Sequence, residues 1–292
     1  MSQHFFVIGD VMLDIDYQGK HRGNEEDAEL CLTSDRRKIY PGGAAWVAWL
    51  LAGAGHEVDL FGVVGPDTEA EDLVMSLPKV NRHLKPLLTS TTVKRRVYTE
   101  RGVYRFDTEN PKAVSWPVLE AAQLIYGGVR ANDPDCIIFV DYNKGVFWEA
   151  EDSEEVWFAI TGLSEEIHMV AAIKPTKYLN LWNDVDLLVC NRKEANDIET
   201  NIKWLPDHAL VVTEGSDGAA LCGPRWIYRE RIECPEPIAL PQQIGAGDAF
   251  LAALVPHWLL SGCKREAVEY AILRATKYVS MPREELCSRY FV

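Results

Sequence analysis

The stretch "QQIGAGDAF", residues 242–250, sets glycines and an aspartate at the point where a predicted helix begins. Glycines let backbone N–H groups converge there, and a helix N-terminus carries roughly half a unit of positive charge, so the turn favours a phosphate group. Asp248 is placed to accept a proton from a hydroxyl that attacks a phosphoryl group. An aspartate is also a common helix N-cap, so this stretch by itself leaves a catalytic role and a capping role equally open.

Around this stretch, short apolar segments alternate with helical ones. "FFVIGD" and "CIIFVDY" are typical of buried strands, "PGGAAWVAWLLAGAG" of a helix between glycines, and "VDLLVCNRKEANDIE" of a strand followed by a helix. The alternation predicts an α/β fold with a mostly parallel central sheet and helices on both faces. We expect one domain over residues 1–292, with hairpin-rich segments at 14–41 and 91–107 that form a small β lid.

Polar residues and glycines recur where the predicted strands end. Ligands of open parallel sheets bind at the carboxyl ends of the strands, so side chains at these positions are candidates for one shared site. The positions are Asp10, Asp14, Gly42, Gly43, Asp141, Asn191, Thr213 and residues 245–247.

Composition and charge narrow the class of protein. The formal net charge is −14, which argues against a nonspecific nucleic-acid binder because such a protein needs a basic face. The seven cysteines show no CxxC spacing, and the scattered histidines show no metal-binding motif. "MSQHFFVIGD" is typical of a first core strand, and "AFLAALVPHWLL" is too short for a bilayer. We therefore expect a soluble cytoplasmic protein that binds neither nucleic acid nor a membrane.

The order of the motifs resembles that of one kinase family. "PGGAAWVAWLLAGAG", "NRKEA", "VVTEGSDGAAL" and "GAGDAFLAAL" follow one another as in the ribokinase-like (pfkB) carbohydrate kinases, and the resemblance spans residues 5–282. "VIGDVMLDIDYQG" and "VDYNKG" are most similar to the branch that phosphorylates D-glycero-β-D-manno-heptose 7-phosphate. The resemblance implies a three-layer sandwich and phosphorylation of a hydroxyl on a sugar or sugar phosphate, with ATP and Mg²⁺. It also implies a possible homodimer through the lid, and we expect no nucleotidyltransferase half within these residues.

The resemblance implies roles for single residues on the catalytic and sugar side. Asp248 matches the base that activates the acceptor hydroxyl, and residues 245–247 match an anion hole that stabilises the transferring phosphoryl group. Asp14 matches an acidic residue that binds sugar hydroxyls, and the glycine pair at 42–43 lets the backbone approach the sugar. Without a functional role, Asp14 would be a solvated loop aspartate, and the glycine pair would form a tight turn into a buried helix. The residues concerned are Gly245, Ala246, Gly247, Asp248, Asp14, Gly42 and Gly43.

On the nucleotide side the resemblance points to an NxxE motif and a glycine-containing loop. Asn191 and Glu194 match the motif that organises Mg²⁺ through its waters, and a hard cation with oxygen ligands suits these residues. Without the resemblance, the same pair reads as a helix cap with an acid in the first turn. Thr213, Gly215 and Gly218 match the loop near the nucleotide.

Four basic residues are candidates for binding phosphate. Lys94 and Arg96 share one face of an alternating strand and, with Arg105, are able to hold a sugar phosphate. The alternative is a solvated edge strand, where basic residues discourage aggregation. Lys144 is either a phosphate contact or a surface lysine of a loop.

The sequence departs from the family pattern in three places. Trp46 stands where the family usually has a sugar-binding asparagine, so it either stacks on a different ligand or fills the core. Gln242, Gln243 and Ile244 replace a segment whose aspartate helps hold a monovalent cation, which argues against potassium activation. Lys174 replaces an aspartate at a strand end. Two alternatives therefore stay open: a nucleoside or small-alcohol kinase, and a binding or regulatory protein without turnover.

Overall fold

The structure is a computed structural model. It describes residues 2–22, 29–33, 37–109, 114, 116–126, 133–147, 162, 167–174, 182, 184–199, 209–223, 229–234, 244–282 and 285–286.

The central sheet has nine strands in the order β14-β13-β12-β11-β10-β9-β1-β5-β6. The seven neighbouring strands β12, β11, β10, β9, β1, β5 and β6 pair in parallel. Strands β13 and β14 pair antiparallel at one edge of the sheet. The prediction of a mostly parallel sheet is therefore confirmed. The strands are β1 His4–Gly9, β5 Glu57–Val64, β6 Asn81–Pro86, β9 Cys136–Val140, β10 His168–Ala172, β11 Leu187–Asn191, β12 Ala209–Thr213, β13 Ala219–Cys222 and β14 Arg229–Ile232.

Helices cover both faces of this sheet because its strands are apolar on both sides. In β1, Phe5 and Val7 belong to a buried cluster that includes residues of the helices at 44–53, 246–261 and 264–279. Phe6 and Ile8 point to the other face and belong to a second cluster with the helix at 116–126. This alternation of side chains builds the three layers. The helices are α1 Ala44–Gly53, α2 Thr68–Met75, α3 Trp116–Tyr126, α4 Arg192–Asp197, α5 Ala246–Ser261 and α6 Lys264–Val279. The segment "EEVWFAITGL", which is helix-like in sequence, lies outside the described residues apart from position 162.

The two hairpin-rich segments come together in a second, five-stranded sheet, which we call the small sheet. Its order is β3-β2-β7-β8, and β4 pairs with the first half of β2. Residues of β2 at its N-terminal end are buried, while positions in the distal half alternate between half-buried and exposed. The strands are β2 Val11–Arg22, β3 Glu29–Leu32, β4 Lys38–Gly43, β7 Val93–Thr99 and β8 Gly102–Thr108.

Within the described part of the chain, the helices are too short or too polar to cross a lipid bilayer.

Candidate active site

The carboxyl ends of the parallel strands bring the predicted polar residues to one edge of the central sheet. Asp10 follows β1 and Asp141 follows β9, while Asn191 ends β11 directly beside Thr213 of β12. Helix α1 begins at the same edge, where Ala44 N–H donates to the Asp10 carbonyl at 3.0 Å. The structure thus brings together residues that are far apart in sequence, as the position of strand ends in a parallel sheet requires.

The glycine turn at the start of α5 needs glycine at its first position. Gly245 is the N-cap of α5 and adopts a left-handed conformation with φ 80°. A Cβ atom there would lie 2.5 Å from Tyr278 Oη and 2.7 Å from Trp46 Nε1, so a side chain has no room. Asp248 lies in the first turn of the helix, after the cap. The interpretation of Asp248 as the N-cap is therefore wrong, because Gly245 holds that position.

Asp248 is hydrogen-bonded to Tyr142, a residue that was not among the candidates from the sequence. The Tyr142 hydroxyl donates to Asp248 Oδ1 at 2.7 Å. Burial and the neighbouring Asp248 charge raise the pKa of Tyr142 well above its usual value. Two ammonium groups lie near the Tyr142 ring, with Lys94 Nζ at 4.8 Å and Lys174 Nζ at 4.9 Å from its centroid. Tyr142 lies within the quoted "VDYNKG", but only the folded chain shows that it reaches Asp248.

A buried carboxylate holds the loop that carries Tyr142. Asp10 is 3% exposed and accepts from the N–H groups of Tyr142 at 2.8 Å and Lys144 at 2.9 Å. Asn143, between them, has a left-handed φ of 57° and donates its N–H to Asp141 at 2.7 Å. Burial and then the charge of Asp10 raise the pKa of Asp141 to about 7. The loop after β9 is thus fixed by backbone bonds to two carboxylates.

Arg96 lies inside the small sheet. It is 7% exposed, and its guanidinium nitrogen lies 3.3 Å from Asp14 Oδ2 and 3.5 Å from Asp16 Oδ1. For Lys94 and Arg96 the alternative of a solvated edge strand is wrong, because β7 is paired on both sides, with β2 and with β8. For Arg105 it holds, because β8 is an exposed edge strand of the small sheet. Gly42 lies against Asp14, since a Cβ there would lie 3.0 Å from Asp14 Oδ1. Arg96 therefore offsets the charge of the predicted sugar-binding carboxylate.

The other predicted cations differ in their surroundings. Arg105 pairs with Asp107 on β8, and Lys144 pairs with Glu109 at 2.8 Å. Lys94 is the member of this set that lies beside Tyr142 and the Asp248 carboxylate. Burial lowers the pKa of Lys94, and the charges of Arg105 and Lys174 lower it further against the opposing charge of Asp14. Positive charge therefore accumulates close to the predicted base.

Trp46 fills the core. It is 1% exposed, its ring stacks on Trp49 at 4.7 Å between centroids, and Tyr40 and Tyr278 meet it edge-on. Because the side chain is buried among these rings, its assignment to substrate stacking is wrong. The side chain instead supports the glycine turn, because its indole nitrogen lies under Gly245.

A cavity of about 610 Å³ opens between the loop after β12 and the helices α5 and α6. It has a polar end at the glycine turn and an apolar wall that includes Phe250, Ile272 and Val279. Predicted nucleotide and anion-hole residues form its polar part: Asn191, Thr213, Gly215, Gly218, Ala246 and Gly247. The volume and the mixed lining suit a ligand with an apolar ring and an anionic tail.

Asn191 and Glu194 form a capping box at the start of α4. Asn191 Oδ1 accepts from Glu194 N–H at 2.9 Å, and Glu194 Oε2 accepts from Asn191 N–H at 2.8 Å. The capping interpretation is therefore confirmed. Burial raises the pKa of Glu194, while its cap hydrogen bond and the charge of Lys174 oppose that effect. Asn191 lines the cavity, and Glu194 is hydrogen-bonded to Asn191. Amide and carboxylate oxygens of this kind fit Mg²⁺ held through water, so the cap does not exclude the metal role.

A match to a protein-family model identifies the family of this chain. The pfkB family carbohydrate kinase model matches residues 2–281. The chain belongs to the pfkB carbohydrate kinase family. The ribokinase-like resemblance seen in the sequence is thereby confirmed.

Curated relatives within the family include bifunctional proteins. The bifunctional protein HldE of Azotobacter vinelandii is 32% identical over 275 residues, which cover 85% of this chain and 54% of that protein. HldE of Hyphomonas neptunium is 29% identical over 301 residues, which cover 93% of this chain and 59% of that protein. The pfkB chain described here thus spans somewhat more than half the length of these relatives.

Solved structures share the fold of this pfkB chain. Arabidopsis thaliana ribokinase, complexed with ribose and ATP, has a TM-score of 0.71 at 16% identity and covers 100% of this chain and 99% of its own. Escherichia coli phosphofructokinase-2, in complex with substrates and products, has a TM-score of 0.71 at 15% identity, with 96% and 93% covered. The predicted ribokinase-like architecture is confirmed by this likeness.

Proposed function

We propose that the chain transfers the γ-phosphoryl group of ATP to a hydroxyl of a sugar or sugar phosphate. The observation that carries the proposal is the placement of Asp248. Its carboxylate lies in the first turn of α5, directly after a turn of backbone N–H groups that opens into the 610 Å³ cavity. A base and an anion-binding turn at one helix start are what phosphoryl transfer to a hydroxyl requires.

In the proposed reaction, Asp248 accepts the proton of the acceptor hydroxyl as its oxygen bonds to the γ-phosphorus. The bond between that phosphorus and the bridging oxygen breaks, and ADP leaves with the electron pair. N–H groups of residues 245–247 stabilise the charge on the transferring group. Asn191 and Glu194 would hold Mg²⁺ through water, and the bound ion would neutralise charge on the nucleotide phosphates.

A phosphorylated acceptor explains the positive charge beside Asp248. Lys94 and Lys174 lie near one ring in a chain whose net charge is −14. Burial lowers the pKa of Lys94, and repulsion from Arg105 and Lys174 lowers it further. An anionic group bound between them would relieve that repulsion. Together with the sequence resemblance, this makes D-glycero-β-D-manno-heptose 7-phosphate the first acceptor to test.

Replacing either lysine by methionine tests this choice of acceptor. We expect Lys94→Met and Lys174→Met each to raise KM for a phosphorylated acceptor about tenfold, because each loses a charge-assisted contact. KM for an unphosphorylated sugar should stay unchanged. The matched control is Lys85→Met, since Lys85 also lies over an aromatic ring, 4.0 Å from the Trp116 centroid, but outside the site. Equal effects on charged and uncharged acceptors would contradict the assignment.

A panel assay separates the proposed function from its alternatives. ATP-dependent phosphorylation is measured for sugars, sugar phosphates and nucleosides, and ATP binding is measured in parallel. Turnover of a sugar or sugar phosphate supports the proposal, whereas turnover of nucleosides alone indicates a nucleoside kinase. The burial of Trp46 removes the argument for a stacked base. ATP binding without any turnover would indicate a regulatory protein. The same assay is run with and without potassium. The segment whose sequence argues against potassium activation includes Gln242 and Gln243, which lie outside the described residues.

The small sheet is a candidate dimer surface, and its role as a lid over the acceptor remains a proposal. Large apolar side chains are exposed on its outer strands: Leu30, Leu32, Val103, Tyr104 and Phe106. A second copy of the chain would cover such a surface. We expect Phe106→Asp to shift the wild-type dimer to monomers in sedimentation, and Met75→Asp, at an exposed site on α2, to leave it unchanged. A monomeric wild type would contradict this part of the proposal. A cytoplasmic location also stays a prediction.

A further inference from the structure

Tyr142 connects the base to the rigid part of the central sheet. Its hydroxyl donates to Asp248 Oδ1 at 2.7 Å, and its N–H donates to the buried Asp10 at 2.8 Å. Asp10 follows β1, which is an interior strand of the central sheet between β9 and β5, and Asp248 belongs to α5. One residue therefore carries a continuous set of hydrogen bonds from the sheet to the proposed base.

We propose that Tyr142 positions the Asp248 carboxylate for proton transfer, an inference that rests on the function proposed above. A carboxylate at the start of a helix can rotate about its side-chain bonds, and a hydrogen bond to one oxygen fixes the direction of the other. Proton transfer depends steeply on such alignment.

The ring of Tyr142 is itself held in place. Lys94 Nζ and Lys174 Nζ lie 4.8 and 4.9 Å from its centroid, and both lysines come from elements outside its own loop. The loop is fixed because Asp10 also accepts from Lys144 N–H at 2.9 Å. The hydroxyl therefore reaches Asp248 from a fixed ring on a fixed backbone, which is the arrangement expected of a positioning residue.

The direction of the hydrogen bond separates this role from that of a second base. Burial and the Asp248 charge keep the phenol protonated, because they raise the pKa of Tyr142 well above the usual value of a tyrosine. A protonated phenol donates to Asp248 and takes no proton from the acceptor. Among the described residues, the other charged groups near this pair include Asp14 on β2, Lys94 on β7, Lys174 after β10 and Glu194 on α4.

Tyr142→Phe tests the inference because it removes the hydroxyl and keeps the ring that contacts the lysines. With the panel member that the wild type phosphorylates fastest, we expect kcat to fall on the order of 10- to 100-fold while KM for ATP is unchanged. The acid limb of the kcat profile should move to higher pH, because a carboxylate that loses a hydrogen-bond donor is protonated more easily. A merely structural role would not move that limb.

The matched control is Tyr270→Phe, which removes a hydroxyl from an exposed tyrosine on α6 that does not line the cavity. It should keep the wild-type kcat and pH profile. Thermal unfolding and ATP binding establish that Tyr142→Phe is folded. If it is not, Asp10→Asn replaces one accepting oxygen and loosens the same loop, and it should lower kcat and move the acid limb in the same direction. An active wild type beside an unchanged Tyr142→Phe or Asp10→Asn variant would overturn the inference. A wild type inactive on every acceptor would instead overturn the proposed function.

Discussion

Asp248→Asn is expected to lower kcat by about 10²- to 10⁴-fold, the range in which positioned general bases contribute. The amide keeps the shape of the carboxylate and still offers an oxygen to the Tyr142 hydroxyl, which lies 2.7 Å from Asp248 Oδ1. It cannot accept the proton of the acceptor hydroxyl. Binding of ATP should persist, because Asp248 does not line the cavity, whose walls come from Asn191, the loop after β12, Cys234 and other positions of α5 and α6.

Steady-state kinetics and calorimetric titration with ATP measure the two effects separately. Asp72→Asn is the matched control, since Asp72 lies on α2 and pairs with Arg37 at 2.6 Å away from the proposed site. The control should keep the wild-type kcat. An Asp248→Asn variant that turns over at the wild-type rate would show that another group is the base.

Trp46→Ala is expected to lower the free energy of unfolding by about 3–5 kcal/mol, the usual cost of truncating a buried aromatic side chain. The indole is 1% exposed, and it stacks on Trp49 at 4.7 Å between centroids. Its removal leaves a cavity between α1 and the turn at Gly245. In a chain of this size the midpoint of thermal unfolding should fall on the order of 10 °C.

Trp46→Phe provides the comparison, because it keeps an aromatic ring at the centre of the cluster and should cost clearly less stability. Thermal unfolding measures both variants, and acceptor KM is determined at a temperature where both are folded. A Trp46→Ala variant with unchanged stability but a raised acceptor KM would show that the side chain faces the ligand. That result would contradict the position of Trp46 in the core.

The sequence predicted the architecture because the fold depends on local patterns. Alternating strands and helices gave the parallel sheet, and the alternation in β7 and β8 gave the hairpin of the small sheet. Part of the cavity lining could also be predicted from the sequence, since Asn191, Thr213 and the glycine turn lie at strand ends and helix starts. These positions follow from the topology of parallel sheets.

Side-chain partners depend on contacts between distant segments and were not predictable in this way. Tyr142 and Asp248 are 106 residues apart, and no local pattern indicates their hydrogen bond. The burial of Arg96 depends on β7 being placed between β2 and β8. Trp46 stayed ambiguous because a tryptophan that stacks on a ligand and one that fills the core have the same helical context.

The most direct test of the central claim follows the phosphorus atoms of the reaction. ³¹P NMR of the chain with ATP, Mg²⁺ and D-glycero-β-D-manno-heptose 7-phosphate, and then with the other sugars of the panel, shows where the γ-phosphoryl group goes. We expect the γ signal of ATP to be replaced by ADP and a new sugar phosphate ester with the wild type, and to persist with Asp248→Asn. Release of inorganic phosphate without any new ester, or untouched ATP with every acceptor, would contradict the account.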